Sequence, residues 1–74
     1  MKRDIKQDLK KRARIAAGII NILTDDIERL KSDANNFDVL CLEESLKDAR
    51  TTLQMLCDHV TEMEYMIYMY KKHY

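Results

Sequence analysis

Apolar residues recur at alternating three- and four-residue intervals along two stretches of this chain, and that spacing constrains its fold more than any other feature. In the first stretch, Leu9, Ala13, Ala16, Ile20, Leu23, Ile27, Leu30 and Ala34 keep the alternation throughout. In the second, Val39, Leu42, Leu46, Ala49, Leu53, Leu56, Val60, Met63, Ile67, Tyr70 and Tyr74 keep it without a miss. A 3.5-residue repeat holds one stripe of a helix against a neighbour, which is the condition for coiled-coil packing. The 74 residues include no proline and one glycine, so nothing forces a break inside either helix.

Between the arrays, Ser32-Asp33-Ala34-Asn35-Asn36-Phe37-Asp38 is the segment rich in side chains that compete with a helix for backbone hydrogen bonds. Asn36 or Asp38 can cap the second helix, and Glu43 and Glu44 near its start suit the helix dipole. A turn this short makes the two helices antiparallel neighbours. The expected fold is all-α, an antiparallel, coiled-coil-like two-helix hairpin forming one domain over residues 1–74. The first helix is expected over about residues 2–33, the turn over about 34–38 and the second helix over about 38–74.

One seam between two helices is a thin core for a chain of this size. Further apolar groups lie off the expected seam: Ile15, Ile19 and Ile22 form a second stripe, with the small residues Ala13, Ala16, Ala17 and Gly18 beside them, and Met55 and Cys57 at the facing level of the second helix. Contiguous apolar surface of this kind marks an interface. Ala13, Ile15, Ala16, Gly18, Ile19, Ile22 and Met55 are therefore the expected oligomer contact, through which two hairpins close into a four-helix bundle. A missing helix of a larger protein would cover the same stripe.

Charge excludes little globally and more locally. Thirteen basic and thirteen acidic residues balance, so no net field selects a nucleic acid or a membrane. Residues 1–14, however, carry seven basic side chains against Asp4 and Asp8, and the turn region is acidic. Folding the hairpin brings the basic start beside Lys71, Lys72 and His73. Lys6 and Lys10 are expected to pair with Glu62 and Glu64 across it, as flanking charges of coiled coils do. A second reading makes the tip an anion or nucleic-acid contact built from Lys2, Arg3, Lys6, Tyr65, Tyr68, Lys71 and Lys72, since exposed tyrosines beside lysines can stack on bases and meet phosphates. Interleaved acids at the same tip disfavour that reading.

Signatures of catalysis are missing from the sequence. It has no Gly-rich phosphate loop, no nucleophile–base pair and no metal-ligand spacing. His59 and His73 stand two heptads apart, roughly 21 Å along a helix, too far to share a metal. Met63, Met66 and Met69 at helical spacing read as packing. The expectation is a non-enzyme without a cofactor. Cys41 and Cys57 stand roughly 24 Å apart on one helix and cannot bridge each other, so reduced thiols and an intracellular, cytoplasmic or nuclear location are expected. No apolar run reaches the ~18 residues of a membrane span, and the basic start lacks the apolar core of a secretory signal.

The basic segment Lys11-Arg12-Ala13-Arg14, the stretch Gly18 to Thr24 and the run Leu46 to Ile67 containing His59 together resemble the helical region near the N-terminus of Gag polyproteins of Bel/Pao-type retrotransposons, over residues 10–67. The segment Glu44-Ser45-Leu46-Lys47-Asp48 is similar to one in a small plasmid-encoded family of RNA-binding hairpin dimers, whose RNA-contacting aromatic on the first helix has no equivalent here. The first resemblance implies an assembly role in a mobile element or virus, and the second a regulator of RNA pairing. The expected function is thus a self-associating interaction module, partnered by itself and by another protein. Nucleic-acid binding at the tip and a virus- or phage-encoded inhibitor of a host protein are the alternatives.

Overall fold

The computed structural model describes residues 4–73, which form two helices packed along their length in a rod of 54 × 18 × 15 Å. Helix α1 spans Ile5–Asn36 and helix α2 spans Val39–His73, and no strand occurs among the described residues. Asp4 caps α1, its carboxylate accepting from the Gln7 backbone N–H at 3.2 Å. Asp38 caps α2, accepting from the Cys41 N–H at 3.2 Å while its carbonyl takes the Leu42 N–H at 2.8 Å.

The turn is tighter than the sequence suggests, because α1 runs on through Asn35 and Asn36. Phe37 adopts the left-handed conformation (φ 50°, ψ 43°). Its N–H donates to the Ala34 carbonyl at 3.1 Å and the Asp38 N–H to the Asp33 carbonyl at 3.2 Å. That pair of bonds satisfies two carbonyls of the last turn, and the position usually falls to glycine. One left-handed residue followed by a capping aspartate reverses the chain, so the asparagines can stay helical.

The contact between the helices is displaced from the heptad seam. Leu9, Ala16, Leu23 and Leu30 of α1, and Leu42, Ala49, Leu56 and Met63 of α2, turn inward as expected. The alternate members, Ala13, Ile20, Ile27 and Ala34 on α1 and Val39, Leu46, Leu53, Val60 and Ile67 on α2, are exposed, as is Tyr70 at the end of the inward series. Their places are taken by residues one position earlier: Ile5, Arg12, Ile19, Asp26 and Asp33 facing Ser45, Thr52, His59 and Met66. Each helix is turned by part of a heptad, so its apolar stripe straddles the edge of the hairpin contact rather than filling it.

Hydrogen bonds make these substitutions tolerable. The Ser45 hydroxyl, 1% exposed, donates to Asp33 and accepts from the Arg29 Nε at 3.2 Å. The Thr52 hydroxyl donates to Asp26 Oδ2 at 2.7 Å, and Arg12 donates to His59 Nδ1 at 3.1 Å. Among the described residues no buried side-chain polar atom is left without a partner, as a low-dielectric contact requires.

Candidate interaction surface

The displacement leaves the apolar stripe in the open. A turn of the helix in the same sense carries the exposed seam residues of both antiparallel helices onto one broad face of the rod. There Ile20, Ile27, Leu46, Leu53, Val60 and Ile67 are each 41–52% exposed. Leu23, Ile27, Leu30, Leu46, Ala49 and Leu53 line a shared groove on this face, with Arg50 at its edge. Aliphatic side chains in such a row on a chain this short are contiguous surface of the kind that ordinarily meets another molecule.

The opposite face is mixed. Ile15 (40% exposed) and Ile22 (52%) lie there by their seven-residue spacing, with Met55 (46%) at the level of Ile22. Charged and polar groups break the patch up. Ile15 borders a hollow with Asp8, Lys11, Arg12 and His59, and nearer the turn Arg29, Asp33, Glu44 and Asp48 surround another.

Two members of the stripe expected to meet a partner are placed elsewhere. Ile19, 5% exposed, and Ala16, 9% exposed, are buried in the hairpin's own contact. The one-residue displacement that exposes Ile20 draws Ile19 inward, so Ile15, Ile19 and Ile22 do not form one outer ridge. Ala13 is exposed with the aliphatic face, and Gly18 sits on the outer side of α1 with open space where a Cβ would stand.

Electrostatics concentrate near the turn. Arg29 pairs with Asp48 across the hairpin, and that hydrogen bond raises the Arg29 pKa above its ordinary value. The N–H of Cys41 and its thiol both bond to the Asp38 carboxyl and hold its pKa below the usual range. The same contact pushes the Cys41 thiol up. Among the described residues the cross-hairpin ion pair is Arg29 with Asp48, and the pairs expected from sequence between Lys6 or Lys10 and Glu62 or Glu64 do not form.

At the far tip, Tyr65 and Tyr68 project outward, and the Lys72 ammonium stands 5.9 Å from the Tyr68 ring centre, within cation–π range. Lys6 and Lys71 are exposed on the same end of the rod. Lys2 and Arg3, the remaining expected tip cations, and Tyr74 of the expected seam lie outside the described residues. Both cysteines are exposed free thiols, and no group of three His, Cys, Asp or Glu among the described residues could hold a metal. No described helix is long and apolar enough to cross a membrane.

The displaced seam is the feature that sequence reasoning missed. Its signal was present in the polar residues Asp26, Asp33, Ser45 and Thr52, which recur every seven positions beside the apolar stripe and face one another once the chain folds back. Compared with protein-family models, curated proteins and solved structures, the chain matches none.

Proposed function

We propose that this chain is a non-catalytic, self-associating helical module whose working surface is the aliphatic face made by Ile20, Ile27, Leu46, Leu53, Val60 and Ile67. The observation that carries the reading is that alternate members of the heptad stripe meet the other helix while the rest are exposed. Inward apolar residues such as Ile19, Leu23, Ala49 and Leu56, with polar groups bonded across the hairpin, hold its own helices together, while the remaining aliphatic side chains are left exposed on one side. A helix in a four-helix bundle has the same need: a stripe toward the bundle axis and a flank toward each adjacent helix. The resemblance to Gag polyproteins agrees with an assembly role of this kind.

Sedimentation or light scattering tests it. The chain is expected to run at a multiple of its monomer mass, and Leu53→Glu, which sets a carboxylate in the middle of the face, should return it to monomer. Ile22→Lys, on the opposite face, should leave the mass unchanged. A wild-type monomer at micromolar concentration, or dissociation by Ile22→Lys alone, would sink the reading.

A second reading keeps the basic tip as a nucleic-acid contact. It is favoured by Tyr65 and Tyr68, which are 59% and 58% exposed beside Lys71 and Lys72. Rings exposed to that degree next to cations suit stacking on unpaired bases.

A further inference from the structure

On the reading that the aliphatic face is a self-association surface, we propose that its occupant is a second copy laid turn to tip, so that α2 of one hairpin runs antiparallel beside α2 of the other. Two features set this orientation.

The first is the charge of the two halves of the rod. The tip half, residues 4–20 and 57–73, carries seven basic and five acidic side chains, a net of +2. The turn half, residues 21–56, carries four basic and eight acidic, a net of −4. Stacking with the turns at one end sets like halves over each other. Stacking turn to tip sets +2 over −4 twice, at a helix-to-helix separation of roughly 10 Å, about one screening length.

The second feature is a column along the outer edge of the aliphatic face. Glu43, Arg50, Cys57, Glu64 and Lys71 are spaced by seven and all exposed. Their positions flank the apolar stripe of α2 on the side away from α1, where an adjacent helix of another copy would lie. Read from either end, the column is antisymmetric about Cys57. In an antiparallel pair centred there, Glu43 meets Lys71 of the other copy, Arg50 meets Glu64, and the two Cys57 residues meet each other. On α1 the matching edge carries Ala17 and Thr24 at its centre, small enough for close approach, with Lys10 and Lys31 facing at its ends. Lys31 already has Glu28 at 3.4 Å to offset its charge.

The size of the surface fits a stable pair. The rod's outline of 54 by 18 Å gives a footprint of about 970 Å², against the roughly 800 Å² per partner of a standard interface. Turn-to-tip stacking of two rods of equal length covers the whole outline with no overhang.

Distances between identical labels decide the orientation. With Cys41→Ser and Cys57→Ser removing the exposed thiols, a nitroxide on Asn35→Cys near the turn should give a single label-to-label distance of about 45–50 Å. A distance under about 25 Å in a sample of dimer mass would overturn the turn-to-tip arrangement while leaving self-association intact. Monomer mass with no dipolar signal would overturn both. The charge column gives an independent check in the full chain. Arg50→Glu should weaken the dimer by roughly tenfold through two symmetric contacts, and adding Glu64→Arg should restore it. In the turn-to-turn arrangement Glu64 lies nearest Lys10, so the second change would weaken the dimer further and refute the proposal. In the wild-type background with Cys41→Ser, a short dimaleimide should join two Cys57 residues, and its failure on a confirmed dimer would refute the proposed centre.

Discussion

Asp26 on α1 accepts a 2.7 Å hydrogen bond from the Thr52 hydroxyl on α2, at a level of the hairpin where a simple coiled coil would place two aliphatic side chains. Thr52 is 7% exposed, and its hydroxyl also reaches the Asp48 carbonyl at 3.1 Å. The pair shows how the hairpin fixes its rotation: the carboxylate must face the hydroxyl, and the stripe beside it is thereby turned outward.

Thr52→Val keeps the shape and deletes the donor, leaving the Asp26 carboxylate short of a partner inside the contact. The expected loss is about 1–2 kcal/mol by denaturant melt. Removing the carboxylate as well, in Asp26→Leu with Thr52→Val, should recover most of that loss because no polar group is then stranded. If the double variant is as unstable as the single one, the hydrogen bond is not what the single variant lost.

Gly18 lies in the middle of α1 with nothing near the position of an added Cβ. Gly18→Ala should stabilise the helix by about 1 kcal/mol, since alanine loses less backbone entropy and meets no neighbour. Association should be unaffected. A stabilised fold with a lost dimer would instead show another helix approaching Gly18 closely, as the cluster of small residues around it suggests from sequence.

Asp38 links the turn to pH. Its folded pKa is depressed, first by the Cys41 N–H and then by the thiol. A carboxyl depressed in this way stabilises the fold in full above its unfolded pKa and loses that contribution as pH falls through the lower, folded value. Asp38→Ala should therefore melt lower than wild type at neutral pH, with the gap closing as the pH drops below the usual carboxylate range. Asp38→Asn keeps a capping oxygen and should narrow the neutral-pH gap. Either variant should also speed alkylation of Cys41, whose pKa the carboxylate raises.

The tip gives a prediction that separates the two functional readings. Contacts to phosphate release counterions, so binding through Lys6, Lys71 and Lys72 would weaken steeply with salt. The expected outcome is weak binding to single-stranded RNA at low salt that disappears near physiological ionic strength, unchanged by Tyr65→Ala or Tyr68→Ala. Filter binding or fluorescence anisotropy reads it. Submicromolar affinity at ~150 mM salt, with each tyrosine contributing ~1–3 kcal/mol, would promote nucleic-acid recognition over self-association.

How far the sequence revealed this fold depends on which physical quantity each residue reports. The helices were legible because 3.5-residue spacing and the near-absence of proline and glycine act locally. The chain reversal was legible from Asp38, though Asn36, the other expected cap, stays in α1, and a phenylalanine in a left-handed conformation is a choice that residue preferences do not anticipate. The identity of the neighbour each residue faces was less legible. Heptad spacing places Ile20 and Leu53 on a stripe, but says nothing of whether that stripe meets the next helix in the chain or another molecule. The answer lay in complementary polar residues brought together from different parts of the chain, Asp33 with Ser45 and Asp26 with Thr52. For the candidate surface this meant that Ile15, Ile22 and Met55 kept their exposure, whereas Ile19 and Ala16 moved inside.

The polar pairs built into the contact between α1 and α2 bear on how such a chain would behave at different abundances. Hydrogen-bonded pairs fix geometry well but add little net stability, because the same groups bond to water when the helices part. If the aliphatic face is covered by a second copy, much of the stabilisation comes with dimerisation, and the unfolded fraction varies with total protein. Dilute chains would then be open to proteolysis and concentrated ones resistant, so expression level itself would act as a threshold: below it the protein is cleared, above it the protein persists.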